Sequence, residues 1–251
     1  MFLDIDIGNT RAKWRLSGSG NSEVEACASS FGHLKALLGQ QASFIQSVRI
    51  AAVKNEEFCR ELEQYIVGEL SLSICFAKTQ EQTGNIVNGY SDPSKMGVDR
   101  WAAIVAASNY HHKSKIHNKL YAVVDAGSAL TLDFVAVQEA KEQHLGGYIV
   151  PGVNLQISSL LGGTQRIGVD SETPGSSIEL GNNTHDAVCA GVVASMVALV
   201  NETAKRVEKA QGAEAIIYLT GGDGSLLKPS LQRPVVLRPN LVLDGIPLLV
   251  T

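Results

Sequence analysis

The sequence predicts an α/β protein made of two similar halves. The first observation is a repeated pattern in which an apolar strand runs into an Asp-x-Gly turn and a second β-rich run follows. The two aspartates, Asp6 and Asp125, lie 119 positions apart in a chain of 251 residues. The second observation is an alternation of strand and helix patterns, which is typical of a mixed sheet flanked by helices. Because internal similarity at a long offset indicates architecture, we expect two halves that place the two turns across one cleft.

The first half begins with a strand and an acidic turn. Apolar residues alternate with aspartates over Leu3–Ile7, which is the period of a half-buried strand, and Gly8 then lets the backbone bend. The turn offers N–H groups and short polar side chains that suit phosphate oxygens, Asp6 suits a hydrated magnesium ion, and Lys13 would offset phosphate charge. An ordinary hairpin turn explains the same residues. Taken alone, the loop leaves a phosphate site and a structural turn open.

The remaining elements are predicted from periodicity and turn residues. In the first half, we expect strands over 13–16, 24–28, 44–53 and 72–77, and helices over 31–40, 55–70 and 100–110. A loop-rich span over 80–96 precedes the third helix. In the second half, we expect a strand pair over about 120–135, strands over 144–150, 216–219 and 235–242, and helices over 153–161 and 184–210. The two halves therefore cover residues 1–117 and 118–251.

Composition excludes several classes of protein. A net charge of −4 and a pI near 5.9 give no support to a nucleic-acid-binding surface, which is usually basic. The N-terminus lacks the plan of a signal peptide, and the 14 uncharged residues of Ala187–Val200 are too few to span a bilayer. We expect a cytoplasmic protein with no nucleic-acid or membrane partner, in which Ala187–Val200 is a buried helix. The cysteines lack metal spacing and are expected to be buried thiols: Cys27, Cys59, Cys75 and Cys189.

Several segments, taken in order, resemble type III pantothenate kinase. They are Asp6-Ile7-Gly8-Asn9-Thr10 with Lys13, Asn88-Gly89-Tyr90-Ser91-Asp92-Pro93 leading to Gly97-Val98-Asp99-Arg100-Trp101, Asp125-Ala126-Gly127-Ser128, and Gly146-Gly147-Tyr148-Ile149-Val150-Pro151-Gly152. The acidic turns and a late strand ending in Gly221-Gly222 also resemble the superfamily of acetate and sugar kinases, heat-shock chaperone ATPases and actin. This resemblance implies duplicated actin-like, or ribonuclease H-like, halves with the nucleotide cleft between them and the late glycine turn beside adenosine.

The family resemblance implies ATP-dependent phosphorylation of the primary hydroxyl of pantothenate, the first step toward coenzyme A. Asp99 matches the family's general base, a role that suits a hydroxyl nucleophile, because phosphoryl transfer itself depends mostly on positioning and charge stabilisation. Arg100 would offer a fork of donors to a carboxylate such as that of pantothenate. By the same match, the residues that bind pantothenate are Tyr90, Gly97, Val98, Asp99, Arg100 and Thr184.

On the nucleotide side, the resemblance implies that ATP is bound by Ser128 and by one continuous segment. That segment consists of Asp6, Ile7, Gly8, Asn9, Thr10, Arg11, Ala12 and Lys13. Asp125 matches the position that holds a monovalent cation, potassium or ammonium, and Asp6 would hold Mg²⁺ through the phosphates. The residues alone do not distinguish the Asp125 cation from a second magnesium contact. The family is dimeric, with pantothenate bound near the subunit interface, so a homodimer is expected.

Two positions depart from the family pattern. Met96 stands where leucine is usual, which is a volume-conserving change. Leu130 stands where a small hydroxyl residue is common, and it is expected to remove a polar group near the phosphates.

Other interpretations of the same residues stay open. An acidic residue is favourable near a helix N-terminus, so Asp99 and Arg100 could form a local ion pair. Trp101 is expected in the core, and His144 and His185 are expected to be structural because no other His or Cys lies at ligand spacing. Two alternative functions are a kinase of another small alcohol and a nucleotide-binding regulator without turnover. Asp99 argues against the regulator, which would need no base, and the acidic charge argues against DNA binding.

Overall fold

A computed structural model of the chain describes residues 1–8, 12–17, 24–28, 32, 35–36, 38–39, 42–53, 56–114, 116–139, 141–163 and 175–250. The chain forms two compact units, each assembled from separate stretches of sequence. Unit 1 comprises Met1–Gly84, Tyr90–Tyr110 and Leu241–Thr251, and unit 2 comprises Asn85–Gly89 and His111–Asn240. The predicted boundary between residues 117 and 118 stays a prediction.

Unit 1 contains a five-stranded sheet in the order β3-β2-β1-β4-β5. Its strands are β1 (Phe2–Ile7), β2 (Ala12–Ser17), β3 (Val24–Ala28), β4 (Ser47–Ala52) and β5 (Ser73–Phe76). The central strand β1 pairs antiparallel with β2 and parallel with β4. The alternation over Leu3–Ile7 is confirmed as a strand, with Leu3, Ile5 and Ile7 in the hydrophobic core. The strand predicted over 44–53 is shorter because a 3₁₀ turn occupies Ala42–Phe44.

Helices and short elements complete unit 1 and lead into unit 2. Helix α1 (Glu56–Glu63) continues as a π-helix over Gln64–Glu69, which confirms the helix predicted over 55–70. A short strand β6 (Gln82–Thr83) and a 3₁₀ turn (Pro93–Lys95) precede helix α2 (Val98–Lys113). Within the helix predicted over 31–40, residues 32, 35–36 and 38–39 are described and are helical, and the other five lie outside the described residues.

The prediction of a β-rich segment over 235–242 is wrong for its last residues. The chain forms a short strand over Val235–Leu237, and helix α6 (Leu241–Leu249) follows. This helix is buried, with Leu241, Val242, Leu243, Ile246 and Leu249 in the core. A short apolar run without a polar face cannot be assigned to helix or strand by its periodicity.

A buried ion network joins α6 to the sheet of unit 1. Asp4 is inaccessible to solvent, and its Oδ1 lies 2.6 Å from Arg49 Nε. Arg15 Nη1 lies 2.5 Å from Asp244 Oδ1, and Arg15 Nη2 donates to Leu243 O at 2.9 Å. Burial raises the pKa of Asp4, while Arg49 and Arg15 oppose that rise. The two arginines therefore compensate a carboxylate that would be costly to bury alone.

Unit 2 contains strands in the order β12-β11-β8-β9-β10-β7. They are β7 (Ile86–Val87), β8 (Leu120–Ala126), β9 (Ala129–Gln138), β10 (Lys141–Pro151), β11 (Ala215–Thr220) and β12 (Val235–Leu237). The β8–β9–β10 meander is antiparallel, whereas β11 runs parallel to β8 and β12. The second strand, acidic turn and returning strand predicted from the sequence are therefore present.

The described residues of unit 2 also form helices α3 (Val153–Gly163), α4 (Thr184–Gln211) and α5 (Gly224–Leu227), with a 3₁₀ turn over Lys228–Ser230. Asn183 caps α4 by accepting from Asp186 N at 2.9 Å. By length and composition α4 could cross a membrane, but half of its most apolar window is buried inside the protein. The helix predicted over 187–200 lies within α4 and contributes Val192, Val193 and Met196 to the core.

The cysteine prediction holds only in part. Cys59, Cys75 and Cys189 are free thiols, and of these Cys189 is buried, Cys59 is half-buried and Cys75 is exposed. The side chain of Cys27 lies outside the described residues.

Gly245 provides the sharpest packing test in unit 1. A Cβ added at Gly245 would lie 2.0 Å from Ala102 O in α2, so either helix backbone would have to move. Helix propensity alone favours alanine over glycine, whereas overpacking costs about 1–3 kcal/mol. We therefore expect Gly245→Ala to lower the free energy of unfolding by about 2 kcal/mol, as measured by urea denaturation.

Gly68→Ala is the matched control. Gly68 is exposed in the π-helix of unit 1, and a Cβ there would meet nothing within 4 Å. This variant should be neutral or more stable than the unmodified protein, by at most about 1 kcal/mol. Equal stability of the two variants would contradict the packing argument.

Candidate active site

The first acidic turn follows the central strand of unit 1. Asp6 is the ladder partner of Lys13, and Ile7 is the partner of Ala12, so Asp6 and Lys13 are cross-strand neighbours. Both are half-buried, whereas Ile7 and Ala12 are buried. Asn9, Thr10 and Arg11 lie outside the described residues. The described part of the turn therefore presents one carboxylate and one ammonium group at adjacent positions, a pairing that is favourable across a sheet.

The first turn of α2 carries Asp99 and Arg100. Asp99 is half-buried, and its Oδ1 accepts a hydrogen bond from Arg100 N at 2.8 Å. A Cβ added at Gly97 would lie 2.6 Å from the same Oδ1. The carboxylate therefore occupies space that any other residue at position 97 would take. Val98 lies between Gly97 and Asp99 in the sequence, is the first residue of the helix and is half-buried.

Arg100 is directed by Tyr90. Its side chain is buried, and Nη1 donates to Tyr90 OH at 2.7 Å while the guanidinium carbon lies 5.6 Å from the centre of the Tyr90 ring. A guanidinium held in this way keeps its charge and its planar set of donors, which match a carboxylate. Tyr90, Gly97, Asp99 and Arg100 are therefore brought together in unit 1.

Neighbouring residues fix the segment before α2. Trp101 is buried and donates from Nε1 to Thr83 Oγ1 at 3.1 Å, which confirms it as a core residue. Thr79 Oγ1 donates to Met96 O at 2.9 Å, and the Met96 side chain is buried. Methionine in place of leucine is thus accommodated as an apolar core residue.

The second acidic turn joins β8 to β9 in unit 2. Asp125 is half-buried and pairs with Thr131 in β9 and Thr220 in β11, while Ser128 is exposed at the tip. Gly152 packs against this tip, because its N donates to Ser128 O at 3.0 Å and an added Cβ would lie 2.1 Å from Gly127 O. The backbone of residue 152 therefore supports the turn.

The late glycine turn closes over the same acidic residue. Gly221 adopts a positive φ of 89°, and an added Cβ would lie 2.3 Å from Ala126 O and 2.5 Å from Asp125 Oδ1. Asp223 N donates to Ala126 O at 2.9 Å. Within the part of the chain that the structure describes, no group of three or more His, Cys, Asp or Glu residues could hold a metal ion. One carboxylate among carbonyl oxygens instead suits a weakly hydrated cation, whose hydration shell such oxygens can replace.

Leu130 does not leave a gap at the second turn. Its side chain is almost completely buried and belongs to the hydrophobic core of unit 2. Leu130 therefore has a packing role, since a core position favours an apolar side chain. The expectation that leucine removes a polar group near the phosphates stays a prediction.

Thr184 lies at the first position of α4 and is exposed. It lines a cavity of about 640 Å³ together with residues from α3 and α4, including Gln156, Leu160, Ala187 and Gly191. Residues 125–128 are not among those that line this cavity. Within unit 2, the second acidic turn therefore does not line the cavity that Thr184 lines.

The sequence pattern pointed to the acidic residues more clearly than to the glycines that shape their surroundings. Gly152 lies in a motif that predicts no role for it, and the contact between Gly221 and Asp125 does not follow from the sequence. A glycine in a sequence does not reveal which atom lies opposite it, because that atom comes from a distant strand or turn.

Comparison with known proteins gives consistent results. A family model described as type III pantothenate kinase matches residues 2–206. A type III pantothenate kinase from Pseudomonas aeruginosa (strain LESB58) is 34% identical over 253 residues, covering 99% of this chain and 98% of the relative.

Two solved structures share the fold. A candidate Baf family transcriptional activator from Campylobacter jejuni has a TM-score of 0.54 and 21% identity, covering 98% of this chain and 95% of its own. A candidate 2-dehydro-3-deoxygalactonokinase from Sinorhizobium meliloti has a TM-score of 0.53 and 10% identity, covering 98% and 97%. At these identities the likeness concerns the fold alone, so it does not favour a regulator. The predicted α/β, actin-like fold class is confirmed.

Proposed function

The chain belongs to the type III pantothenate kinase family, and we propose how its residues carry out the reaction of that family. The enzyme phosphorylates pantothenate with ATP, the first step of coenzyme A biosynthesis. The observation that carries the residue assignment is the arrangement at the start of α2. There the Asp99 carboxylate occupies the space beside Gly97, and Arg100 donates a hydrogen bond to Tyr90 OH.

Asp99 acts as the general base. Its carboxylate accepts the proton of the primary hydroxyl as the hydroxyl oxygen bonds to the γ-phosphorus of ATP, and the bond from that phosphorus to the bridging oxygen of ADP breaks. The hydrogen bond from Arg100 N holds the carboxylate, and the missing side chain at Gly97 leaves room for it there. Such positioning matters because a general base must lie within hydrogen-bond reach of the proton that it takes.

Arg100 and Tyr90 bind the carboxylate of pantothenate. The hydrogen bond of 2.7 Å to Tyr90 OH and the position of the ring orient the guanidinium before substrate arrives. A preoriented fork loses less conformational entropy when it binds a carboxylate. Gly97 and Val98 complete this part of the pocket, and Thr184 offers pantothenate a hydroxyl from α4.

The nucleotide is held by the two acidic turns. Residues Asp6 to Lys13 and Ser128 bind its phosphates, with Lys13 supplying positive charge. Asp6 is the residue that would hold Mg²⁺ through the phosphates, where the ion would offset the charge that develops during transfer. The half-buried Asp6 and its cross-strand neighbour Lys13 suit this role.

Asp125 holds the monovalent cation, potassium or ammonium. The proposal is supported by the oxygen atoms that gather at this turn, because the missing side chain of Gly221 lets its backbone lie close to both Asp125 Oδ1 and Ala126 O. When bound, the cation would supply positive charge beside the phosphate-binding turn.

The protein acts as a cytoplasmic homodimer. Support comes from apolar side chains of unit 2 that are exposed in the single chain, of which Leu180 is 99% exposed and Ile149 is 60% exposed. Leu160 is also exposed and lines the cavity beside Ala187 and Gly191 of α4. Exposed apolar side chains suit an association surface where they lie together, as Leu160 does with the α4 residues of this cavity. Helix α4 would then serve both the core of its own chain and the contact with a second copy.

Asp99→Asn tests the catalytic assignment. It keeps the size of the side chain but removes the base, so we expect kcat for ATP-dependent formation of phosphopantothenate to fall roughly 100- to 10,000-fold. ATP binding, measured by calorimetry, should persist. Glu61→Gln in the exposed face of α1 is the matched control and should retain turnover. Near-normal turnover by Asp99→Asn would remove Asp99 from its role, and no product from the unmodified protein would refute the proposed activity.

Gly97→Ala tests the position of the carboxylate without removing it. The added methyl group would push the Asp99 side chain aside, because only the flexible end of Asp99 lies against it. We expect a roughly 10- to 100-fold loss in kcat with an unfolding midpoint close to that of the unmodified protein. Gly68→Ala serves as the control for turnover. Full activity in Gly97→Ala would contradict the proposed geometry.

Asp125→Asn tests the cation assignment. Rates of the unmodified enzyme should rise when potassium or ammonium replaces sodium at constant ionic strength. In Asp125→Asn the ratio of the potassium rate to the sodium rate should fall to about 1, because the amide no longer offers a charged ligand. An unchanged response to potassium would refute the assignment, whatever the absolute rate of the variant.

A further inference from the structure

A buried histidine–aspartate pair lies in the sheet of unit 2. His144 in β10 and Asp133 in β9 are both almost inaccessible to solvent, and His144 Nε2 lies 2.9 Å from Asp133 Oδ1. On the other side of the ring, Gly89 N donates to His144 Nδ1 at 3.3 Å. Since a backbone N–H can only donate, Nδ1 is the acceptor and Nε2 carries the proton that is donated to Asp133. Asp133 therefore fixes both the tautomer and the orientation of the imidazole.

The local sequence makes room for this pair. The register between β9 and β10 shifts between His144 and Gly146, and Gly147 is then the ladder partner of Asp133. A Cβ added at Gly147 would lie 2.5 Å from Asp133 Oδ1 and 2.1 Å from Leu132 O. The glycine at position 147 thus leaves the space in which the Asp133 carboxylate lies, which gives a physical reason for part of the Gly146-Gly147 motif.

The histidine also secures the segment before Tyr90. Strand β7 pairs in parallel with β10, and Glu142 N donates to Asn85 O at 2.9 Å. Beyond the end of β7, the bond from Gly89 N to His144 continues this attachment. A Cβ added at Gly89 would lie 2.0 Å from His144 O, so the two backbones are in direct contact. Residues 85–89 are therefore held along the whole length of the segment.

We propose that His144 and Asp133 are positioning residues for pantothenate binding. Gly89 is bonded directly to Tyr90, whose hydroxyl accepts from Arg100 Nη1 at 2.7 Å. By holding Gly89, the His144–Asp133 pair fixes the backbone from which Tyr90 extends, and Tyr90 in turn orients the guanidinium that binds the substrate carboxylate. Neither His144 nor Asp133 needs to touch the substrate. The inference rests on the proposed roles of Tyr90 and Arg100.

Two substitutions at position 144 separate the two hydrogen bonds. In His144→Gln the amide can reach the place of Nε2 and keep the bond to Asp133, but nothing accepts from Gly89 N. In His144→Asn the amide oxygen can take the place of Nδ1 and accept from Gly89 N, but the link to Asp133 is lost. We expect His144→Gln to raise KM for pantothenate roughly 5- to 10-fold, which corresponds to one hydrogen bond, while kcat and KM for ATP change less than about twofold. In His144→Asn, which keeps an acceptor for Gly89 N, the KM for pantothenate should stay close to that of the unmodified enzyme.

His111→Gln is the matched control for a merely structural effect. His111 is also a buried histidine of unit 2, where it contacts Tyr218 OH at 3.2 Å and Asn118 O at 2.9 Å. This variant should lower the unfolding midpoint without raising KM for pantothenate. The proposal is overturned if His144→Gln leaves the pantothenate KM unchanged, or if His111→Gln raises it equally.

A double-mutant cycle with Tyr90→Phe tests the route of the effect. If His144 acts through Tyr90, the variant that combines His144→Gln with Tyr90→Phe should raise the pantothenate KM no more than the larger of the two single substitutions does. A KM increase equal to the product of the two single increases would contradict this route. If His144→Gln does not fold, the double variant His144→Leu/Asp133→Leu replaces it, because it removes the acceptor for Gly89 N without leaving a buried carboxylate unpaired. An unchanged pantothenate KM in that variant would overturn the proposal. An unmodified enzyme that makes no phosphopantothenate would refute the proposed function, which is a different result from an active enzyme with an insensitive His144.

Discussion

The buried carboxylate of Asp4 is the interaction on which unit 1 depends. An ion without access to water is tolerated only when it is paired, and Asp4 is paired with Arg49 at 2.6 Å and with Arg15 at 3.7 Å. Arg15 also binds Asp244 of α6, and Asp244 accepts from Tyr110 OH in α2 at 3.0 Å. The network therefore ties the sheet to α6 and to α2, the helix whose first turn carries Asp99. One buried charge near the N-terminus thus helps to hold the helix of the proposed base.

Close contacts at glycines give the proposed active-site segments their shape. An oxygen atom lies within 3 Å of the place that a Cβ would take at Gly97, Gly152 and Gly221. At Gly97 that oxygen belongs to the carboxylate of Asp99, and at Gly221 the nearby oxygens include the carboxylate of Asp125. Close-packed interiors do not absorb an extra methyl group without a shift of neighbouring atoms. The glycines therefore leave the places in which these oxygen atoms lie, although none of them supplies a reactive atom.

Much of the fold and the acidic residues of the two turns, Asp6 and Asp125, were predictable from local pattern, whereas the role of Asp99 is implied by the family resemblance. The alternation over Leu3–Ile7 gave β1, and the repeated Asp-x-Gly turn indicated the second meander, because both signals lie within a few consecutive residues. Helix α6 was not predicted, since its apolar run has no polar face. The pairing of Arg15 with Asp244 joins residues 229 positions apart, and the His144–Asp133 pair depends on a register shift between strands. Such contacts are set by tertiary packing, which a single sequence does not express.

A crystal structure of the enzyme with pantothenate and a non-hydrolysable ATP analogue tests the central claim most directly. The account predicts that the primary hydroxyl of pantothenate lies within about 3 Å of an Asp99 carboxylate oxygen, which is the reach of a general base, and that the substrate carboxylate contacts Arg100 beside Tyr90. A pantothenate hydroxyl bound next to a different carboxylate, with Asp99 turned away from it, would contradict the account.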